Sequence, residues 1–336
     1  MQLAERAIAR DKRSLPERKG RGPWRDALDQ LLKNRVAVGG GIFIILMVLV
    51  AIFADVVAPR PYDRGALVDN NLPPGAISQD PKLEGFRYIM GADQLGRDML
   101  SRIIYGARIS LSVAFIGSAV AFAIGLFYGL ISGYSGGFLD NAMMRLVDII
   151  YGYPFVIFLV LMQVYFKGLS RQHEKTGGEM VGLANWLIRA NDAMGGVLFI
   201  YIAMGAVSWL TMARLARSQV LAYKEKEFIE AARCIGVGHR RIVLRHILPN
   251  IIGPCIVAVT LTIPGFILAE AFLSFIGLGI NPPVPSWGGM ISDGVTALRG
   301  HPHLIAYPAI ALSLTVLAFN FLGDGLRDAL DPRLRV

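Results

Sequence analysis

Residues 225–250 read EKEFIEAARCIGVGHRRIVLRHILPN, a charged stretch set between two long apolar ones. Phe228, Ile229, Ala232 and Ile235 share one face of a helix, and Gly236 and Gly238 can end it, because glycine accepts the left-handed conformation common at helix C-termini. Ile242, Val243 and Ile247 form a second apolar stripe, and Pro249 marks the start of the next apolar stretch. The spacing predicts a short helix, a glycine break and a second short helix on the wet side of a membrane protein. Such an element can move a transmembrane bundle when a partner outside the bilayer pushes on it. A DNA-reading helix-turn-helix would share the shape, but tethering to two membrane spans argues against duplex binding, so no nucleic acid is expected.

The membrane setting follows from composition. The chain has 336 residues, 54% of them hydrophobic, and a mean hydropathy of +0.49. A soluble domain is normally less apolar. The apolar residues gather in six stretches of spanning length, Val36–Ala58, Leu111–Ser132, Ala142–Phe166, Gly196–Ala213, Ile251–Ile276 and Ile305–Gly323. The expected fold is therefore an all-α integral membrane protein with six transmembrane helices. The net charge of +9 is concentrated in the first 35 residues, in Arg214–Arg245 and in the tail from Arg327. Placing both termini in the cytoplasm puts all three segments inside, as the positive-inside rule requires. The basic excess then meets lipid headgroups rather than nucleic acid. Cys234 and Cys255 fall in a cytoplasmic loop and in a span, so no external disulfide framework is expected.

The organisation reads as a basic cytoplasmic tail (1–35), an anchor helix (36–58), an extracytoplasmic segment (59–107), a core (108–326) holding the loop 214–250, and a cytoplasmic tail (327–336). Trp24–Asn34 is expected to lie on the headgroups as an amphipathic approach helix, with Leu28, Leu31 and Leu32 on one face. Asp93 can N-cap a helix with Leu95, Met99, Ile103 and Ile104 on its apolar face, lying flat at the outer interface before span two turns inward. Span two carries small residues at every fourth position (Gly117, Ala121, Gly125, Gly129, Gly133), which lets another helix approach closely. Residues 167–195 and 277–304 read as outer loops, the latter with Pro282, Pro283 and Pro285 and a short helix over Met290–Leu298. Asp148 reads as an interfacial residue at the cytoplasmic start of span three.

Catalytic signatures are missing. The chain holds no P-loop G-x-x-x-x-G-K-[ST], no H-E-x-x-H, no C-x-x-C and no G-x-S-x-G. His301 and His303 are too few for a metal site. No catalytic residue, metal or cofactor is therefore expected on this chain. Glu270 lies well inside span five, towards its outer end. An ionisable residue there should face protein or water, either as a structural hydrogen bond to a neighbouring helix or on the translocation path or gate. An ion-driven secondary transporter is the rival class, but inverted repeats and charged helix interruptions at the midplane are not evident.

Glu230-Ala231-Ala232, followed by Gly236 and Leu248-Pro249, resembles the EAA motif of permease subunits in binding-protein-dependent ABC importers. Gly91-Ala92-Asp93-Gln94-Leu95-Gly96-Arg97-Asp98 with Ser101-Arg102 and Tyr105-Gly106-Ala107-Arg108 resembles the segment before span two in the dipeptide/oligopeptide branch. Pro282-Pro283, Pro285-Ser286-Trp287-Gly288 and Gly323–Arg333 resemble its outer loop and carboxyl end. The whole is similar to the C-type permease subunit, with a basic tail and an anchor helix before a five-helix core. His246 stands where importers in general have an aliphatic residue, as is normal for the peptide branch, and the outer loop 167–195 is longer than the branch usually has.

The resemblance implies peptide transport across a bacterial cytoplasmic membrane, with nickel complexes or other small solutes as the alternative cargo. It implies a second homologous permease, two ATPase subunits that carry ATP and Mg, and an extracytoplasmic substrate-binding protein. Glu230, Ala231, Ala232, Arg233, Gly236, Leu248 and Pro249 would then form the coupling site for one ATPase subunit.

Overall fold

The computed structural model describes residues 23–175 and 182–330. The basic tail before Pro23 and the Asp331-Pro332-Arg333 end of the carboxyl motif lie outside them. Among the described residues there is no strand, only isolated bridges such as Gly65–Arg97 and Ile77–Arg87. In chain order the helices are α1 (Pro23–Lys33), α2 (Arg35–Ile52), α3 (Ala54–Val57), α4 (Met99–Ser135), α5 (Gly137–Tyr151), α6 (Phe155–Lys175), α7 (Leu183–Ala193), α8 (Leu198–Lys224), α9 (Glu227–Cys234), α10 (His239–Ile242), α11 (Leu248–Phe275), α12 (Trp287–Val295) and α13 (His303–Leu330). Five rods, α2, α4, α8, α10–α11 and α13, are each long and apolar enough to cross a membrane.

The sixth expected span, Ala142–Phe166, is a bent pair. Helices α5 and α6 meet at 77° across Gly152-Tyr153-Pro154. Pro154 has no N–H to continue the ladder, and Gly152 tolerates the turn. Hydropathy alone could not show the break, because both arms are apolar.

Helix α4 is the axis of the bundle. At 37 residues it runs for roughly 55 Å, well beyond a hydrocarbon core of about 30 Å. The expected interfacial helix is its first turns, so no flat segment precedes the span. Its N-cap is Asp98, whose Oδ2 accepts the Ser101 N–H at 2.8 Å and the Ser101 hydroxyl at 2.6 Å. Asp93 does not cap the helix: it organises the preceding turn, accepting from Arg97 Nε and Arg102 Nη1, each at 2.7 Å.

The stripe of small residues on α4 does what its spacing predicts. A Cβ at Gly125 would come within 2.6 Å of the Trp209 carbonyl oxygen, and one at Gly129 would run into Ala213 O on the same helix, α8. Gly117 faces the Phe266 ring of α11. Backbone-to-backbone approach of this kind maximises dispersion contact where lipid offers no hydrophobic gain. At the other side α2 lies on α13, with Gly40 against Ala318 O. Helix α1 closes the same corner through Leu31, which approaches Gly325, while Leu28 and Leu32 are exposed.

The bundle has two distinct ends. The segment 59–98, the start of α13 and α12 share the upper end. Lower down, α9, α10 and the end of α4 share one apolar cluster, and α1 packs against the end of α13. Between α3 and α4 the chain is folded rather than loose. Asp69, fully buried, accepts from Ser78 Oγ (2.5 Å), Gln79 N (2.6 Å) and Tyr88 Oη (3.0 Å). Burial pushes its carboxyl up, but these donors outweigh burial and hold it below the usual range, while burial and the Asp69 carboxylate push Tyr88 up to about 12. The expected outer loop 167–195 is also largely helical. Helix α6 runs on to Lys175 and stacks its Phe166 on Phe199 of α8 at 4.5 Å, and α7 buries Ile188 in the same cluster.

Substituting Gly129 by Leu should cost about 1–3 kcal/mol or more by overpacking the α4–α8 contact. The expected outcome is loss of folded, detergent-extractable protein, whereas Gly168→Leu, at a position where a Cβ would meet nothing within 4 Å, should extract normally.

Candidate functional site

Helix α9 begins at Lys226 and carries Glu227 and Glu230 in its first turn, where negative charge meets the positive end of the helix dipole. Its end is a full Schellman cap. Gly236 has φ +79°, its N–H donates to Arg233 O at 2.9 Å, and the Val237 N–H donates to Ala232 O at 3.0 Å. Open space surrounds the Gly236 α-carbon, so glycine is needed here for its backbone angle and not for room.

The expected apolar stripe splits in two. Ile229 and Ala232 are buried among Leu126 and Leu130 of α4, Val220 of α8 and Ile251 of α11. Phe228 and Ile235 are exposed, Ile235 by 81%. Sequence spacing put all four on one face, but Phe228 lies about 100° round the helix from Ile229, and Ile235 is the C-cap, where the chain leaves the helix. Helix α9 thus enters the lower apolar cluster through one edge, with two side chains. Its other side presents Glu230, Ala231, Arg233 and Gly236 outward. Of the proposed coupling residues, Ala232 alone points into the bundle, Leu248 is half-buried and Pro249 is exposed.

The second short helix does not stand alone. Helix α10 passes through a π turn, Val243–Ile247, directly into α11. The Leu248 N–H donates to Val243 O, five residues back, and Asn250 Nδ2 caps His246 O at 2.6 Å. Pro249 lacks an N–H, and the widened turn carries the chain past it. Pro249 therefore sits inside a continuous rod, and motion of α10 would pass straight into α11. Tyr134 Oη meets His239 Nδ1 at 2.7 Å and Lys224 Nζ donates to Tyr134 O at 2.8 Å, tying the same corner to the end of α4.

A second linkage holds the bent arm. Arg217 of α8 grips Asp140 of α5 with two bonds of 2.6 and 2.7 Å, and Ser132 Oγ donates to the same carboxylate. Arg214 pairs with Asp148 at 2.8 Å and lies over the Tyr151 ring. The sequence reading missed the Asp140–Arg217 pair, which the arrangement of α5 beside α8 alone creates. Asp148 is a helix-to-helix tether as well as an exposed residue.

Glu270 is far from this corner, 22 residues up α11, roughly 33 Å along its axis. It is completely buried and accepts Ser110 Oγ at 2.9 Å and Ser274 Oγ at 2.7 Å. Ser286 Oγ donates on to Ser274 at 3.2 Å and also caps α12, where Trp287 Nε1 reaches Ile103 O at 3.1 Å. The carboxyl thus joins α4, α11 and α12. Among the described residues no group of three or more His, Cys, Asp or Glu could hold a metal ion.

Replacing Ile229 by Ala should loosen α9 by about 2–5 kcal/mol. Hydrogen exchange over residues 227–237 should then accelerate while that of α4 and α8 stays slow.

Comparison with known proteins supports this architecture. Residues 125–336 match the family described as binding-protein-dependent transport system inner membrane component, and residues 22–74 match the N-terminal TM domain of oligopeptide transport permease C. The oligopeptide transport system permease protein OppC of Haemophilus influenzae is 39% identical, with 94% of this chain and 90% of that protein covered. The dipeptide transport system permease protein DppC of Bacillus subtilis is 38% identical, over 92% and 86% respectively. The fold is shared with a chain of the inward-facing MetNI methionine ABC transporter, at a TM-score of 0.50 and 20% identity over 69% of this chain and 98% of that one. A glycine-packed bundle with a short helix welded to one end, matched along nearly its whole length by such relatives, makes this chain a member of the binding-protein-dependent transport system inner membrane component family, a multi-pass permease subunit.

Proposed function

We propose that this chain is the C-type permease of an importer for peptides in a bacterial cytoplasmic membrane, and that α9 is the helix through which separate ATPase subunits drive it. The names of its relatives support the cargo class. The lower end is read as cytoplasmic, because the basic residues cluster there. The chain divides into a basic tail (1–35), the anchor (36–58), an outer segment (59–107), a five-helix core (108–326) and a second tail (327–336). A second, homologous permease completes the pathway, a binding protein docks on the upper end, and two ATPases bind ATP and Mg below.

The observation that carries this reading is the division of α9. Its inner edge places Ile229 and Ala232 in the apolar cluster of α4, α8 and α11, and its outer face offers Glu230, Ala231 and Arg233 to a partner. A push on that face has a stiff route into the bundle, since α10 and α11 form one rod. It moves the equilibrium only if the ATP-bound partner grips the face differently from the free one. Leu248 and Pro249 lie at the first turn of the driven rod. Glu270 is read as the support of the upper gate, fastening α12 to the bundle at the end where cargo enters.

Glu230→Lys and Gly236→Val should insert and assemble but hydrolyse ATP without uptake of labelled peptide into proteoliposomes holding the complete transporter. Normal uptake in both would remove the coupling role. Glu270→Gln should lower uptake with assembly unchanged, because the amide cannot accept from both Ser110 and Ser274 as the carboxyl does. Loss of assembly alone would make Glu270 purely structural.

A further inference from the structure

A cavity of about 530 Å³ opens at the upper end, between the turn 93–102, the loop 277–286 and α12. Its size falls in the range of small-molecule sites. Met99, Ile280 and Met290 supply apolar wall, and the proline-rich loop supplies a rim with few N–H donors.

The charges on this cavity do not balance. Arg97 and Arg102 are 8% and 4% exposed, and both donate to the same oxygen, Asp93 Oδ2. The remaining capacity of Asp93 is taken by backbone, with Oδ1 accepting the N–H of Leu95 and of Arg97 at 2.9 Å each. Among the described residues, Arg102 Nε is buried behind the cavity wall without a hydrogen-bond partner, so it is Arg102 Nη2, 3.6 Å from Asp293 Oδ2, that the cavity side of the guanidinium presents. The other groups facing the cavity are Lys167, whose Nζ donates to Gly277 O at 2.9 Å, and Asp293 on α12. Asp293 stands 3.6 Å from Arg102 Nη2 and its side chain is 62% exposed, so it shields the guanidinium loosely. Three cations thus confront two carboxylates, and only one carboxylate is fully engaged.

Buried guanidinium is costly unless paired, and its fork suits carboxylate best. We propose that Arg97 and Arg102 form a carboxylate-binding site, and that the free C-terminal carboxylate of a peptide in transit occupies it, displacing Asp293. This rests on the reading that the cargo is peptide. A concave pocket with apolar walls around two fixed cations fits the end of a small molecule better than a flat protein surface. Asp293 holds the place of the ligand until cargo arrives. Gln94 Nε2, bonded at 2.7 Å to both Asp293 O and Thr296 Oγ1, fastens α12 to the turn that carries the arginines. Occupation of the site would therefore be felt by α12.

The test uses the complete transporter in lipid nanodiscs without binding protein, and equilibrium dialysis of radiolabelled trialanine and trialaninamide. Trialanine should bind at least about tenfold more tightly than the amide, the difference expected for hydrogen bonds to a charged group. Arg102→Gln should erase that difference. Asp293→Asn, at an exposed side chain, should leave assembly intact and strengthen trialanine binding several-fold. It keeps the proposal testable if Arg102→Gln fails to assemble. Equal binding of acid and amide by the native protein, or unchanged binding in Asp293→Asn, overturns the assignment. So does disulfide cross-linking of Leu95→Cys to a cysteine put in place of an acidic surface residue of the binding protein, under oxidation by copper phenanthroline in the peptide-free complex. Uptake of trialanine by native proteoliposomes with binding protein and ATP is measured alongside. Absent uptake would remove the peptide reading itself, whereas uptake with acid and amide bound equally would remove only the site.

Discussion

The close approach of α4 and α8 is the constraint on which the other contacts depend. Without side chains at Gly125 and Gly129, the two backbones meet, and the contact is wide enough to make a pair of stiff rods. Dispersion between such surfaces does the work that water exclusion does in soluble proteins. Once the pair is fixed, the ends of both helices are fixed too. The lower end then offers Leu126, Leu130 and Val220 as a seat for Ile229 and Ala232.

That seat explains how a helix of eight residues stays ordered away from the bilayer. Isolated helices of this length are unstable in water, so α9 depends on its buried edge and its glycine cap. The π turn after α10 extends the linkage, because it carries the chain past Pro249 without a break in the rod. Asp140 and Arg217 add a polar clamp that holds the bent arm α5–α6 to α8.

At the upper end the polar groups play the fastening role. Glu270, Ser110, Ser274 and Ser286 form one connected set of hydrogen bonds, and Trp287 fills the space beside Gly106. The Asp93 turn is built on the same plan, with one carboxylate collecting two guanidiniums. Its difference lies in balance. The Glu270 set satisfies its carboxyl fully within the protein, whereas the Asp93 set leaves positive charge facing a cavity.

The sequence by itself determined that the chain is a bundle of apolar helices, that α4 carries a packing stripe, and that a glycine ends a charged helix after Cys234. Those features are local: hydropathy, a four-residue period and a backbone angle that only glycine adopts readily. Tertiary structure decided the rest. It fused the supposed interfacial helix into α4, moved the cap from Asp93 to Asp98, and turned Phe228 and Ile235 away from the core, whereas the break at Gly152–Pro154 is local proline chemistry that hydropathy does not register. It also brought Asp140 to Arg217, and Ser110 to Glu270 across 160 positions. The physical reason is common to all of these. Apolar periodicity says that a residue can be buried, but which neighbour buries it, and which carboxylate meets which cation, is set by rods that touch only after the whole chain has packed.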